Sequence, residues 1–251
     1  MKKVILGLCF TIVVAFVMTA VFAVSPGMLA AEDVPAAYKQ ADLKLGGLLY
    51  DKWYKIAGAE VSGNHPLYPM DGKKSGGDTW RCKECHGWDY IGKEGRYKKG
   101  SHYTGIDGVY GARNKSPDEL FKAITSGSHG IKELTASSEN VWALVKFIRE
   151  GLIDINTALN TDGKPVGDAA SGKTLYGSGC SACHGADGNK IDFNKDKDGP
   201  QGVGWLANDN PQETLHKIRW GHPGSKMPST VADKGLSDPD TVNLLTYSQT
   251  L

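Results

Sequence analysis

The chain has 251 residues, of which 40% are hydrophobic, and it carries five cysteines and a formal net charge of +1. This length exceeds one small domain and fits two modest ones. The near-neutral charge excludes the electrostatic attraction on which nucleic-acid binding depends.

The N-terminus has the layout of a secretory signal. Lys2 and Lys3 precede an apolar run over residues 4–24, and small residues follow it. We therefore predict a signal peptide over residues 1–31 and export to the periplasm, which would leave a soluble body with a net charge of −1. The run also reaches the length of about 20 apolar residues that spans a bilayer, so an uncut membrane anchor is the alternative. Cys9 falls inside this leader.

Two helices are predicted in the first half, one on each side of its cysteines. The leading helix is marked by apolar residues at helical spacing, Leu45, Leu48, Leu49, Trp53 and Ile56. Val141 to Ile148 have the same spacing, and Gly151 is a plausible stop. Between the leading helix and the cysteines lies an insertion over residues 57–79, which is rich in Gly, Pro and Lys.

Cysteine and histidine occur twice in the pattern Cys-x-x-Cys-His, which is the attachment signature of c-type haem. The two copies are Cys82, Cys85 and His86, and Cys180, Cys183 and His184. In this chemistry both thiols add to the vinyl groups of one porphyrin and the histidine ligates the iron. Zinc sites, thioredoxin-like pairs and disulfides use cysteine pairs too, but they leave both histidines unexplained. The motifs therefore predict two covalently bound haem c groups.

Three short helices are predicted in the second half, over residues 169–176, 211–220 and 239–247. Residues 156–167 are rich in Asn, Thr, Asp and Gly, and this composition indicates a linker.

Three matched segments indicate an internal duplication. The Cys-x-x-Cys-His motifs are 98 positions apart. Residues 117–127 parallel 211–221 at an offset of 94, and 142–147 parallel 242–247 at an offset of 100. We infer that one fold is used twice.

Each half resembles a class I cytochrome c domain in its order of leading helix, Cys-x-x-Cys-His, Gly/Pro loop, middle helix, ligand loop and closing helix. The resemblance implies an all-α protein with two tandem cytochrome c domains, each a small helical fold around a covalent haem. The first would cover residues 32–155, with the insertion at 57–79, and the second would cover 168–251. His86 and His184 would be the proximal iron ligands.

The resemblance covers nearly all of the second half. Gly199-Pro200 is similar to the loop proline that in the family helps to orient the proximal histidine. Met227, within Lys-Met-Pro, looks like the family's distal methionine ligand. It is also the only methionine after Met70.

The first half departs from the family at the ligand loop, which is six residues shorter and has no methionine. His129 stands in this loop, on the side that should face the iron, and we predict it as the sixth ligand. His102, Met70, His65 and an open position are the alternatives. His102 lies in a loop that the family places on the proximal side, and the other two belong to the insertion.

The resemblance implies a periplasmic dihaem cytochrome c that carries single electrons between redox partner proteins, with no catalytic residue assigned. Because Met/His ligation raises the potential of a haem, the second haem should be the high-potential centre. One alternative is a dihaem oxidoreductase, a sulfur-compound dehydrogenase or a peroxidase-like enzyme, with its substrate at the first haem. Another is a cytochrome subunit of a respiratory complex.

Overall fold

The computed structural model describes residues 34–127, 129, 131–193 and 199–251. The predicted signal peptide over residues 1–31, with Cys9, lies outside these ranges. The described residues are helical and form no strand, apart from two isolated backbone bridges. The all-α prediction is confirmed for this part of the chain. None of these helices is both long enough and apolar enough to cross a membrane.

The described part of the first half contains α1 (Ala36–Gln40), α2 (Leu43–Ala57), α3 (Cys82–His86), α4 (Pro117–Thr125), α5 (Lys132–Thr135), α6 (Ser138–Lys146) and α7 (Ile155–Ala158). Short 3₁₀ turns precede and follow α3 at Gly76–Trp80 and Tyr110–Asn114, and α6 continues into a π turn, Phe147–Gly151. The start of α4 is fixed by a capping box between Ser116 and Glu119, in which each side chain accepts from the other residue's backbone N–H.

The described part of the second half contains α8 (Ala169–Gly179), α9 (Ser181–His184), α10 (Val203–Asp209), α11 (Pro211–Trp220) and α12 (Asp238–Ser248). The bounds of α11 agree with the sequence-based prediction because the stop signals are local. Asn210 caps its first turn, proline occupies its first position, and Gly221 follows it at φ +85°. L residues rarely adopt that backbone angle.

In each half the leading helix packs on the closing helix, α2 on α6 and α8 on α12. A glycine sits at each crossing. A Cβ on Gly46 would lie 2.1 Å from the carbonyl oxygen of Ala143, and a Cβ on Gly172 would lie 2.0 Å from that of Asn243. In both halves, therefore, a glycine allows the leading and closing helices to approach closely. The sequence comparison did not detect this pair of glycines. Gly46 precedes Cys82 by 36 positions and Gly172 precedes Cys180 by only 8, because the insertion separates the first pair.

Residues 34–251 form one compact unit, so the two halves contact each other directly. The segment at 156–167, predicted as a linker, begins inside α7 and contributes to the core. Ile155, Ala158 and Leu159 are almost fully buried there. The connection between the halves is therefore packed along part of its length.

A buried carboxylate connects α2 of the first half to α11 of the second. The Asp51 side chain is fully buried, and its two oxygens pair with Arg81 and with Lys217, whose Nζ lies 2.9 Å away. Burial alone would raise the pKa of Asp51, but Lys217 and Arg81 hold it well below its ordinary value. The ionised group thus joins one cation from each half.

A histidine completes the contact between α2 and α11. His216 is 1% exposed, with one ring nitrogen 2.8 Å from the Tyr90 hydroxyl and the other 3.0 Å from the Gly47 carbonyl oxygen. Burial lowers its pKa to about 3, so the ring is neutral. Next to it the Trp220 ring packs on the backbone of Gly47. The contacts of His216 and Trp220 with Gly47 hold α11 of the second half against α2 of the first half.

Candidate functional site

The first Cys-x-x-Cys-His motif forms the single turn of α3. The i, i+3 spacing places Cys82 and Cys85 on one side of this turn, and both line the same cavity. No disulfide joins them. Burial raises the pKa of Cys82 to about 12 and that of Cys85 to about 11, so both remain thiols at neutral pH. Two neighbouring thiols that face one cavity are the donors that two thioether bonds to one porphyrin require.

The cavity beside α3 encloses about 850 Å³, including the open solvent at its mouth. Its walls are mostly apolar and come from α2, the 3₁₀ turn Gly76–Trp80, α4, α5, α6 and the π turn, together with loop residues. Apolar side chains that line it include Leu67, Ile106, Val109, Ile124, Ile131, Leu134, Leu144 and Ile148.

His86, the last residue of α3, presents one ring nitrogen to this cavity. Its Nδ1 lies 2.6 Å from the carbonyl oxygen of Asp107, and a carbonyl can only accept, so Nδ1 carries the proton. Nε2 is therefore left as an unprotonated donor. Burial lowers the pKa of His86, which keeps the ring neutral, as a metal ligand must be.

His129 lines the same cavity and has the same hydrogen-bond arrangement. Its Nδ1 lies 3.1 Å from the carbonyl oxygen of Ala123, at the end of α4, which again leaves Nε2 free. Burial lowers the pKa of His129 as well. Metal-bound histidines usually donate their second N–H to a carbonyl or a carboxylate in this way.

The two imidazole rings have the separation that one iron between them would need. The ring centroids of His86 and His129 are 6.4 Å apart, with 39° between the ring planes. Two imidazole nitrogens, each about 2.0–2.1 Å from a shared metal, would place the centroids about 6.3–6.5 Å apart. Two thiols, two facing imidazoles and an apolar cavity therefore fit a haem in the first half.

The other three candidates for the sixth ligand do not reach this arrangement. His102 lies 3.1 Å from a Glu84 carboxylate oxygen and is not among the residues lining the cavity. Met70 is fully exposed. His65 does line the cavity, but both of its ring nitrogens are engaged, with the backbone N–H of Leu67 at 3.2 Å and the carbonyl oxygen of His129 at 2.7 Å.

The insertion covers one side of the cavity. His65, Leu67 and Thr79 all line it, and Thr79 is 1% exposed. The apolar residues of the insertion, such as Val61 and Leu67, could have indicated this, but their spacing has no regular period.

The second Cys-x-x-Cys-His motif lies at the start of α9. Cys183 is exposed and Cys180 is half-buried. His184 Nδ1 is buried with no hydrogen-bond partner among the described residues.

The surface near His184 fits a haem as well. The Phe193 ring centroid lies 6.2 Å from that of His184, and Phe193 and Ile191 are 43% and 41% exposed. Exposed apolar side chains beside two thiols and an imidazole are suited to contact with a porphyrin face.

Met227 lies in the loop that follows α11. Its backbone N–H donates to the Ser225 hydroxyl at 3.1 Å, and a Cβ on Gly221 would lie 2.5 Å from the Met227 carbonyl oxygen. The loop therefore folds back closely on the end of α11, where only glycine leaves room for it. Pairing of Met227 with His184 on one iron stays a prediction.

Residues 167–247 match the family model described as cytochrome C oxidase, cbb3-type, subunit III. This match supports a c-type cytochrome domain over residues 167–247. The matched segment contains Cys180, Cys183, His184 and Met227, and a cytochrome domain of this kind implies covalently bound haem c and electron transfer through it. The match does not extend to the first half. No curated protein and no solved structure matches the chain.

Proposed function

We propose that the chain is a dihaem cytochrome c that carries single electrons between redox partner proteins in the periplasm. In this proposal Cys82 and Cys85 bind one haem and Cys180 and Cys183 bind the other. The observation that carries it is the pair of imidazoles of His86 and His129, which line the same cavity of the first half at 6.4 Å between ring centroids. The matched cytochrome domain supports the second haem.

Two protein ligands on the first iron leave no position for a substrate, which favours transfer between partner proteins over catalysis. The haem supplies the one-electron chemistry, and the protein sets its potential through axial ligands, hydrogen bonding and burial. Here the carbonyls of Asp107 and Ala123 hold the two imidazoles in the tautomer that leaves Nε2 free. Apolar side chains, among them Ile131, Leu134 and Leu144, form most of the cavity wall.

The polar groups that the insertion brings to the cavity also favour a carrier over an enzyme. Both ring nitrogens of His65 are engaged with backbone groups, and the Thr79 hydroxyl donates to the carbonyl oxygen of Gly76 at 2.7 Å. Neither residue has a free acid or base group with which to protonate or deprotonate a substrate.

A cytochrome subunit of a respiratory complex is the second candidate. The family model that matches residues 167–247 is described as a subunit of a cytochrome oxidase, and this favours a docked over a freely diffusing cytochrome. Cell fractionation separates the two roles. Recovery in the periplasmic fraction supports the carrier, whereas recovery in membranes together with an oxidase or reductase supports the subunit.

Haem stoichiometry tests the proposal. When the protein is produced with a haem-attachment system in the periplasm, its mass after denaturation should include two haems per chain, because each motif supplies two thiols and a histidine. The double variant Cys82→Ala/Cys85→Ala should retain one haem, and so should Cys180→Ala/Cys183→Ala. A wild-type protein with one haem, or with zinc in place of haem, would contradict the proposal.

The methionine ligand gives a second prediction. Met227→Ala should abolish the weak sulfur-to-iron charge-transfer band at the red end of the visible spectrum of the oxidised protein, because a thioether no longer reaches the iron. The potential of the second haem should also fall, since Met/His ligation raises it. Met70→Ala is the matched control, because Met70 is fully exposed. A band that persists in Met227→Ala would assign the ligand to another residue.

A further inference from the structure

A histidine of the insertion contacts the backbone of the residue that faces His86. His65 Nε2 lies 2.7 Å from the carbonyl oxygen of His129. The backbone N–H of Leu67 donates to His65 Nδ1 at 3.2 Å, so Nδ1 is the acceptor and Nε2 carries the proton. His65 therefore donates a hydrogen bond to His129, 64 residues further along the chain.

The His65 ring is itself held on several sides. Its backbone N–H donates to Thr79 Oγ1 at 2.8 Å, and the Trp80 ring stands edge-on to it at 4.7 Å between centroids. Trp80 Nε1 in turn donates to the Gly63 carbonyl oxygen at 3.0 Å. His65 is only 8% exposed. A donor fixed in this way defines where the acceptor carbonyl must lie.

The other hydrogen bonds that the described residues show for His129 are local. Its N–H donates to the Ser126 carbonyl oxygen at 3.3 Å, a long hydrogen bond within its own turn. The Nδ1 bond to Ala123 orients the ring but also belongs to the same local segment. The bond from His65 connects this turn to a distant part of the chain.

We propose that His65 is a positioning residue that holds the backbone of His129 so that its Nε2 stays directed at the position opposite His86. This rests on the proposed function, in which His129 ligates the first haem. In this proposal the insertion at 57–79 holds the distal ligand loop in place through the hydrogen bond from His65 to His129.

The hydrogen bond from His65 should slow the release of His129 from the iron. The rate at which carbon monoxide binds to the reduced protein measures this release. His65→Phe keeps the volume of the ring but removes the donor, and it should speed binding at the first haem about tenfold. That factor corresponds to about 1.4 kcal/mol, within the range for one intramolecular hydrogen bond. His65→Gln keeps a donor near the Nε2 position and should stay within about twofold of the wild type.

His102→Phe is the matched control, because His102 bonds a carboxylate next to α3 and does not touch His129. It should bind carbon monoxide at the wild-type rate. If His65→Phe yields too little folded protein, His65→Asn replaces it, since its shorter amide can serve Leu67 but not the His129 carbonyl. His65→Asn should then bind about tenfold faster than His65→Gln.

Two outcomes separate the proposals. If His129→Ala opens the first haem but His65→Phe and His65→Asn bind carbon monoxide as slowly as the wild type, the positioning role is wrong and the ligand assignment stands. If His129→Ala changes nothing, the ligand assignment itself is wrong. Equal unfolding midpoints for His65→Gln and His65→Asn, with different binding rates, would show that His65 acts on the ligand and not on general stability.

Discussion

Replacing His129 with alanine should convert the first haem from a closed, low-spin centre to an open, high-spin one. The variant removes the only imidazole that faces His86 across the described cavity with a free nitrogen. Because His65, which also lines the described wall, has both ring nitrogens engaged, carbon monoxide and cyanide should bind at one haem of the two. The wild-type protein should bind neither rapidly. Optical spectra and ligand titration of the purified protein measure both effects.

Potentiometry adds a second readout for the first haem. An imidazole donates more strongly to ferric iron than a thioether, so the first haem should titrate below the second in the wild type. Loss of His129 should raise the lower of the two potentials and leave the higher one unchanged. His102→Ala serves as the control, since His102 is outside the cavity lining. A His129→Ala protein that stays low-spin and closed would contradict the assignment, and a wild type that already binds both ligands would favour the enzyme.

Asp51→Ala should lower the free energy of unfolding by about 3 kcal/mol, the lower end of the range for removing one partner of a buried ion pair. The substitution leaves Arg81 and Lys217 facing each other without the carboxylate that both of them contact, and their side chains are only 13% and 11% exposed. The lower end applies because Arg81 keeps Asp78 at 3.0 Å and Lys217 keeps Glu213 at 3.5 Å. Guanidinium titration of the haem-loaded protein measures the change.

An exposed ion pair is the matched control for Asp51. Asp233 pairs with Lys44 at 2.6 Å, but both side chains are about one-third exposed, at 34% and 32%. Asp233→Ala should therefore cost at most about 1 kcal/mol. If both variants lose the same free energy of unfolding, the Asp51 carboxylate contributes no more to stability than a surface ion pair.

The contribution of Asp51 should also depend on pH in a defined direction. Its pKa is held well below the ordinary value in the folded protein, despite burial, by Lys217 and Arg81. Its stabilisation is therefore fully present above the unfolded-state pKa of about 3.9 and is lost as pH falls toward the folded-state value. The difference in unfolding free energy between the wild type and Asp51→Ala should shrink below about pH 4.

Much of this protein could be predicted from its sequence because the signals are local. The five-residue attachment motifs specify their chemistry without reference to any other part of the chain. The bounds of α11 follow from Asn210, an initial proline and Gly221, all within the helix or next to it. The same holds for the helical class, since apolar residues at helical spacing occur in both halves.

Only the tertiary structure decided which side chains meet across the first cavity. The sequence offered four candidates to face His86, and it preferred His129 by comparison of the halves, not by contact. In the structure the ring centroids of His129 and His86 are 6.4 Å apart, and Met70 is exposed. The course of a Gly- and Pro-rich loop depends on backbone hydrogen bonds to distant residues, such as that from His65, and no periodic pattern encodes these.

The contact between the halves was likewise a tertiary result. Periodicity identifies the apolar face of a helix but not the helix that covers it. Nothing local in the sequence indicates that Asp51 is buried, that Lys217 of the other half neutralises it, or that Gly46 and Gly172 are the points of closest helix approach. Those features arise only where two segments far apart in the chain pack together and bury the same side chains. The haem-attachment chemistry, by contrast, needs only five consecutive residues.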